Sequence, residues 1–178
     1  MSRPRKAHIP SFAKIRKAFE PAQEIIEDTV QTFAESHRDR FVQRIKDQKF
    51  ESFDAAPLSE KYKAWKIKKG LDPRVMIRTG NYIEHIRVWR RRRARRALTI
   101  HVGFHGRLLA RDAEGRRMPV LMHKVALWQE KGVQKIHLPK RPHWGPHLKV
   151  MRAEAPKVRK SIAATLRKRV KTFMPGVL

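Results

Sequence analysis

A chain of 178 residues is long enough for one domain with a hydrophobic core, and its 43 Lys and Arg against 16 Asp and Glu give a net charge of +27. Because so large a charge repels itself, we expect a screening partner: nucleic acid first, then an acidic membrane surface or an acidic protein. The absence of cysteine excludes disulfides and thiolate metal sites. The sequence has neither a signal-peptide pattern nor the roughly 20 apolar residues of a membrane span, so it predicts a soluble protein.

The charge is unevenly distributed along the chain. Residues 20–60 hold ten of the sixteen acidic residues against five basic ones, so this segment has a net charge of −5 and the remainder +32. This asymmetry predicts either two surfaces with different neighbours, or copies in which the acidic part of one pairs with the basic part of the next.

The predicted elements begin with a basic arm, residues 1–19, that is disordered until it docks. From Pro21 onward, a stripe of residues spaced three or four apart predicts one long amphipathic packing helix that ends near Lys49: Ala22, Ile26, Val30, Phe33, His37, Phe41 and Ile45. A second, short helix is predicted over Glu60–Lys69, with Ser59 as its N-cap and Gly70 just beyond its end. We expect Tyr62 and Trp65 to face the body and five lysines to face solvent: Lys61, Lys63, Lys66, Lys68 and Lys69.

A short helical turn at Tyr82–His85 leads into a predicted hairpin with strands Ile86–Trp89 and Leu98–Phe104. Between the strands, six of seven residues are arginine: Arg90, Arg91, Arg92, Arg93, Arg95 and Arg96. Arginine favours forked contacts with phosphate or carboxylate, so the block is predicted to face a polyanion or an acidic neighbour. The plainer alternative is a solvated strand end that resists aggregation. Because Trp89 is the only aromatic residue nearby, sequence-independent contact with a duplex backbone is favoured over reading of a single strand.

The second half of the chain predicts a polar loop over residues 106–117, a helix over Pro119–Lys131 ended by Gly132, and a short strand over Val133–Leu138. An extended proline-rich loop carrying Trp144 follows. A C-terminal amphipathic helix, which Pro156 either starts or kinks, is indicated by Val158, Ile162, Leu166, Val170 and Phe173. Seven basic residues and no acidic one lie between Lys157 and Lys171.

The nine histidines do not form a recognisable metal motif. His101 and His105 would lie about 13 Å apart on a strand, and His137, His143 and His147 have no acidic residue beside them, so a basic nucleic-acid or interface surface is favoured. His-Glu-x-x-His and Gly-rich phosphate-loop patterns are absent from the sequence. A magnesium nuclease would depend on Asp112 and Glu114, but these lack clustered carboxylate partners. We therefore predict no enzymatic activity, no metal and no cofactor.

Five short phrases occur in one order within residues 21–174: Pro57-Leu58-Ser59 before a Lys-rich helix, Met76–Ile83 with its Thr-Gly pair, Val102-Gly103 at a strand end, Trp128–Gly132 at a helix end, and Leu138–Pro142 before the last helix. In this order they resemble the neck and tail-completion proteins of tailed bacteriophages, including the virion morphogenesis proteins of Mu-like phages and the related tail-component family. The chain departs from that pattern in its longer arginine block, in the displacement of an aromatic residue to Trp144, and in the 107–117 loop.

The resemblance implies an α+β fold in which a long N-terminal helix and a C-terminal helix pack on a small, mostly antiparallel sheet, forming one domain over residues 20–174 with a tail at 175–178. It implies a structural protein of the head–tail junction, acting in neck formation, tail completion or tail termination. Such a protein is made in the host cytoplasm and ends in the virion, without a membrane partner.

The implied assembly is a homo-oligomeric ring of six or twelve copies around the DNA passage, in contact with the connector or head-completion proteins and with tail-tube or sheath proteins. Sequence-independent contact with genomic DNA is also expected. We assign the assembly interface to Trp128, Glu130, Arg141, Trp144, Lys157, Arg167 and Arg169. The alternative is a ribosomal- or chromatin-like basic protein that binds nucleic acid directly.

Overall fold

The computed structural model describes residues 12–49, 57–77, 80–92, 98–111 and 117–173. In chain order the elements are α1 (Phe12–Lys46), α2 (Glu60–Lys68), α3 (Asn81–Glu84), β1 (Ile86–Arg92), β2 (Leu98–Phe104), β3 (Arg107–Arg111), β4 (Arg117–Leu121), α4 (Met122–Lys131), a 3₁₀ turn (Gln134–Ile136) and α5 (Trp144–Phe173). In these ranges β1 pairs antiparallel with β2, and β3 with β4, as two separate two-stranded sheets. The predicted α+β class with long first and last helices is confirmed.

Helix α1 packs on both strands of the β1–β2 sheet and on α5. It begins at Phe12, nine residues before the predicted start, so Pro21 lies inside it. The apolar stripe explains the earlier start, because Phe12, Ile15 and Phe19 continue it toward the N-terminus at helical spacing. Residues 12–19 are therefore helical rather than part of a disordered arm. Residues 1–11 and the tail at 175–178 lie outside the described ranges.

The hydrophobic core is centred on Phe41 of α1. It contains Phe41, Ile45, Ile77, Ile86, Phe104, Met122 and Ala126. Around the Phe41 ring lie the rings of His147 at 4.8 Å, Trp144 at 4.9 Å and His143 at 5.8 Å, measured between centroids. The core thus joins α1 to the first sheet, to α4 and to the start of α5, and it includes two imidazoles in an otherwise apolar and aromatic environment.

Helix α2 has the predicted caps but the opposite burial. The Ser59 hydroxyl accepts a hydrogen bond from the Tyr62 amide at 3.3 Å, and Gly70 (φ 65°) ends the helix. Lys66, predicted to face solvent, is only 2% exposed, whereas Tyr62 and Trp65 stack on each other at the surface. The reason is the turn at Gly70, since it brings the following loop back to the helix. Lys66 Nζ donates to the carbonyls of Arg74 and Ile77 in that loop, at 2.8 and 2.5 Å.

Replacing Lys66 with methionine should lower the free energy of unfolding by about 1–3 kcal/mol, because two loop carbonyls lose a charged donor while the apolar stem is kept. Urea denaturation measures the change. The matched control is Lys61→Met on the same helix, which is exposed and should stay within about 0.5 kcal/mol of the parent. Equal stabilities of the two variants would show that the Lys66 ammonium adds nothing.

The region after β2 differs most from prediction. Residues 107–121 include a hairpin rather than a polar loop, with Leu109 opposite Pro119, so Pro119 belongs to β4 and α4 starts at Met122. The buried face of α4 carries Met122 and Ala126, and Trp128 is exposed. Gly132 ends the helix as predicted.

The predicted strand over Val133–Leu138 is a single bridge between these two residues around the 3₁₀ turn. Helix α5 already begins at Trp144, so Pro156 lies inside it and does not start it. Pro146 is tolerated because it lies in the first turn, where backbone amides have no partner within the helix. None of the helices in the described ranges is both long enough and apolar enough to span a lipid bilayer.

Candidate assembly and nucleic-acid surfaces

Glu130, at the end of α4, caps the N-terminus of α5. Its Oε2 accepts hydrogen bonds from the amides of His143 at 2.8 Å and Trp144 at 3.0 Å, and its Oε1 accepts one from Gly145 at 3.0 Å. A Cβ at Gly145 would lie 2.8 Å from Oε1, so a side chain there would displace the carboxylate. The negative charge also meets the positive end of the helix dipole. Glu130 therefore fixes the junction between α4 and α5.

His143 continues this junction into the core. Burial lowers the pKa of His143, so the ring is neutral and carries one proton. Its Nδ1 lies 2.6 Å from the Arg141 carbonyl and must donate to it, which leaves Nε2 to accept from the Tyr82 hydroxyl. Burial raises the pKa of Tyr82 well above its usual value, so the phenol remains a donor. Each polar atom of this pair thus has a partner suited to a neutral state.

Three of the seven residues assigned to an assembly interface have roles inside the subunit. Glu130 is the cap of α5, Trp144 packs on Phe41, and Arg141 is buried beside Gln129. Burial lowers the pKa of Arg141. Lys157, Arg167 and Trp128 are exposed, and Arg169 is half-buried, so these four keep a place at the surface. No local pattern indicates the cap, because Glu130 is 13 to 15 residues from the amides that it binds.

The histidines were predicted to lie on a basic surface, and for two of those singled out this is wrong. His143 and His147 are buried, as is His37 on α1, whereas His137 is exposed. The His37 and His147 rings are 5.4 Å apart at the contact between α1 and α5. Burial is the main cause that lowers the pKa of both, that of His147 to about 4. These imidazoles are packing groups of the core.

Helix α1 carries an acidic surface at its solvent side. We define the acidic face as Glu24, Asp28, Glu35 and Asp39, all of which are exposed. Asp39 pairs with the adjacent Arg38, whereas Glu24 and Asp28 make no ion pair with the described side chains. Gln31 donates to Glu35 within the same helix. The acidic face is thus largely uncompensated by basic groups in the described part of the subunit.

Helix α5 carries the opposite charge. We define the basic face as the exposed residues Lys157, Lys160, Arg167, Lys168 and Lys171, which helical spacing places on one side of α5; Arg159 is exposed on another side. The two helices run antiparallel, since Phe41 meets Trp144 and His37, earlier in α1, meets His147. The two terminal nitrogens of the Arg40 guanidinium donate hydrogen bonds to the Glu154 carboxylate at 3.0 and 2.7 Å, and this contact lowers the pKa of Glu154 to about 2. In this cross-helix pair the base is on α1 and the acid on α5, the reverse of the two faces.

The β1–β2 ribbon separates its arginines onto two faces. Side chains alternate along β1, so Ile86, Val88 and Arg90 lie on one face, where Arg90 Nε donates to Gln31 of α1 at 3.1 Å. Arg87, Trp89 and Arg91 lie on the other. For Arg92 the structure describes the backbone alone, and Arg93, Arg95 and Arg96 lie outside the described residues, as do Asp112 and Glu114. Within the arginine block, the described side chains are therefore those of Arg90 and Arg91.

Trp89 lies between two histidines on the second face. It pairs across the strands with His101, and the two rings stack with centroids 5.2 Å apart and planes 10° apart. The centroid of the His105 ring lies 4.8 Å from the centroid of the Trp89 ring. Sequence reasoning treated Trp89 as an isolated aromatic residue, and strand register is the signal that would have joined it to His101. In the described ranges no three His, Asp or Glu side chains are grouped so as to hold a metal ion.

Comparison with protein families, with curated proteins and with solved structures finds no match for this chain. Its function is therefore inferred from its own surfaces: the acidic face of α1, the basic face of α5, and the arginine and aromatic face of the β1–β2 ribbon.

Proposed function

We propose that this protein is a structural subunit of the head–tail junction of a tailed bacteriophage, where its copies form a ring around the DNA passage. The observation that carries the proposal is the presence of two exposed surfaces of opposite charge, the acidic face of α1 and the basic face of α5, on one subunit. Two different but complementary surfaces on one subunit make head-to-tail contacts, and such contacts produce a ring when the rotation between copies closes.

The positions of the five family-like phrases support the proposed kinship. Gly80 of the Thr-Gly phrase has a φ of 80° and starts α3. A Cβ at Gly103 would lie 3.6 Å from the Trp144 ring, and one at Gly132 would lie 2.8 Å from the Leu138 carbonyl. Together with the Glu130 cap, these residues join β2, α4 and α5. The phrases thus form a structural framework, which is what a shared fold with variable surfaces requires.

The β3–β4 ribbon is the surface that we assign to a neighbouring protein of the junction. Leu109 is 66% exposed and Met118 is 53% exposed. Met118 is opposite Ala110, the residue after Leu109, so the Leu109 and Met118 side chains lie on opposite faces of the ribbon. Leu127 and Trp128 of the following α4 are also exposed. Exposed apolar groups of this kind are typical of protein contacts, here with connector or tail-tube and sheath proteins.

Charge reversal tests the ring. We expect Glu24→Lys with Asp28→Lys to prevent oligomers, and Arg167→Glu with Lys168→Glu to prevent them as well, because like charges then meet at each contact. Mixing the two variants should restore the oligomer, since the basic α1 of one meets the acidic α5 of the other. Copies must then alternate, so the mixed ring must hold an even number, as six- and twelve-fold rings do. Sedimentation velocity and native mass spectrometry measure the assembly.

The matched control is Lys61→Glu with Lys63→Glu, which places the charge change of the α5 variant on α2, outside both charged faces. It should assemble like the parent protein. A parent protein that stays monomeric at high concentration and is absent from purified phage particles would contradict the proposal. Assembly of each reversed variant alone would contradict the assignment of the two faces.

The second candidate is a basic protein that binds nucleic acid directly, as ribosomal and chromatin proteins do. The arginine and aromatic face of the β1–β2 ribbon favours it. A monomer that binds duplex DNA or structured RNA tightly, with a steep dependence on salt, is the result that distinguishes it from the ring.

A further inference from the structure

The outer face of the β1–β2 ribbon carries cationic groups that the fold does not need for packing. Helix α1 covers the inner face, where Ile86 is buried and Arg38 Nε donates to the Ile86 carbonyl at 3.3 Å. On the outer face Arg87 and Arg91 are both exposed. Arg87 Nε donates to the Glu84 carbonyl at 3.1 Å, which positions its guanidinium at the base of the ribbon. Because the two arginines are four residues apart on a strand, their Cα atoms are about 13 Å apart.

An aromatic group lies between these two arginines. Trp89 is half-buried because His101 stacks on it and His105 packs beside it, and His105 itself is exposed. The indole is therefore held in place by two imidazoles. These packed rings give the outer face a fixed shape between the two arginines, which a solvated strand end does not require.

We propose that this outer face, formed by Arg87, Trp89, Arg91, His101 and His105, binds double-stranded DNA through its phosphodiester backbone. Both arginines are exposed on one face of the ribbon, so each guanidinium can contact a phosphate of the duplex backbone. The net charge of +27 favours a polyanion over a single acidic protein surface, and DNA is the polyanion that we assign to this face.

We expect the binding to be independent of base sequence, because both arginines are assigned to phosphates and the described side chains of this face include no Asn or Gln to recognise adenine. The proposal is also separate from ring assembly, because the faces of α1 and α5 are on other elements. Oligomeric state reports on assembly and DNA affinity reports on this face, so either can fail without the other.

The test uses the full-length protein and a fluorescent 30-base-pair duplex, with anisotropy measured over a series of salt concentrations. We expect Arg87→Gln with Arg91→Gln to weaken binding at least tenfold, and to reduce the slope of log K against log salt by about 2, because two phosphate contacts are lost. Trp89→Leu should weaken binding several-fold and leave that slope unchanged, since it removes no charge. A second duplex of unrelated sequence should give the same affinities.

The control is Lys61→Gln with Lys68→Gln, which removes two exposed charges from α2. If it weakens binding as much as the arginine variant does, the DNA is held by net charge and not by this face, and the proposal is overturned. It is also overturned if polyglutamate competes with the duplex at equal charge concentration, because an acidic protein is then the partner. Circular dichroism of each variant establishes that the fold is retained.

Discussion

Replacing Glu130 with alanine should lower the free energy of unfolding by about 3 kcal/mol, a larger loss than a surface substitution produces. Three amides at the start of α5 lose their acceptor at once, at distances between 2.8 and 3.0 Å in the parent protein. The negative charge that faces the helix dipole is lost as well. Because His143 and Trp144 sit against Phe41, loosening this turn also disturbs the core.

A second variant separates the contribution of the Glu130 charge from that of its hydrogen bonds. Glu130→Gln keeps one acceptor oxygen and the side-chain volume but loses the charge, so it should cost about half as much as alanine. Glu84→Ala, an exposed acid at the end of α3, is the control and should stay within about 0.5 kcal/mol of the parent. Urea denaturation at high salt, which screens contacts between copies, measures all three. If Glu130→Ala resembles the control, the cap contributes no stability.

The parts of the fold that follow from local rules were predictable. The stripe from Ala22 to Ile45 defines most of α1, and the caps at Ser59 and Gly70 fix α2 within one residue. Strand β2 has the predicted bounds, and β1 begins as predicted at Ile86 but continues to Arg92, three residues beyond the predicted end at Trp89. In each case the residues that form the sequence pattern lie within or next to the element that they predict, so periodicity and capping were sufficient.

The parts that failed depend on partners far away in the sequence. Lys66 is buried because a loop eight to eleven residues later supplies two carbonyls, and no local pattern announces that return. His147 is buried because α1 packs on α5, more than a hundred residues apart. Sequence rules assign polar residues to the surface, and these rules fail where a distant part of the chain packs over the polar side chain.

Some residues that were predicted to lie at an assembly interface instead hold the fold together. Glu130, Arg141 and Trp144 looked like surface candidates from their place in the family-like phrases, yet they hold the α4–α5 junction. What stays at the surface is charge: acids on α1, bases on α5, and arginines on the outer face of the β1–β2 ribbon. A rigid junction that carries separate charged surfaces suits the proposed ring subunit, which would bind two neighbours and DNA at once.

Acid should destabilise this protein well above the pH at which its carboxylates protonate, and His147 should be the main cause. His147 is 2% exposed, and its ring nitrogens have no hydrogen-bond partner in the described structure. It faces His37, Arg40 and Arg44 of α1, and burial, together with the neighbouring His37 and the positive charges of Arg44 and Arg40, lowers its pKa from 6.5 to about 4. The neutral form is therefore the one that the folded state accommodates.

The direction of the effect follows from proton binding in the two states. Between pH 6.5 and 4 the unfolded chain binds a proton at His147 that the folded state does not, so stability is complete above that range and falls as the pH is lowered through it. The loss amounts to roughly 3 kcal/mol at 1.36 kcal/mol per unit of pKa. Lowered pKa values at His37 and His143 act in the same direction. The contribution of Glu154, whose pKa is about 2, is lost only below pH 4.5.

His147→Phe removes the titrating group and keeps an aromatic ring beside Phe41 and Trp144. Urea denaturation at pH 7.5, 6, 5 and 4 should show a much flatter pH dependence in this variant, so that it exceeds the parent in stability at pH 5 even if the two are similar at pH 7.5. His123→Phe, at an exposed position of α4, is the control and should retain the parent's pH dependence. If His147→Phe loses stability with acid as steeply as the parent does, the loss arises elsewhere, and the packing of a neutral imidazole between α1 and α5 is not what sets the acid limit.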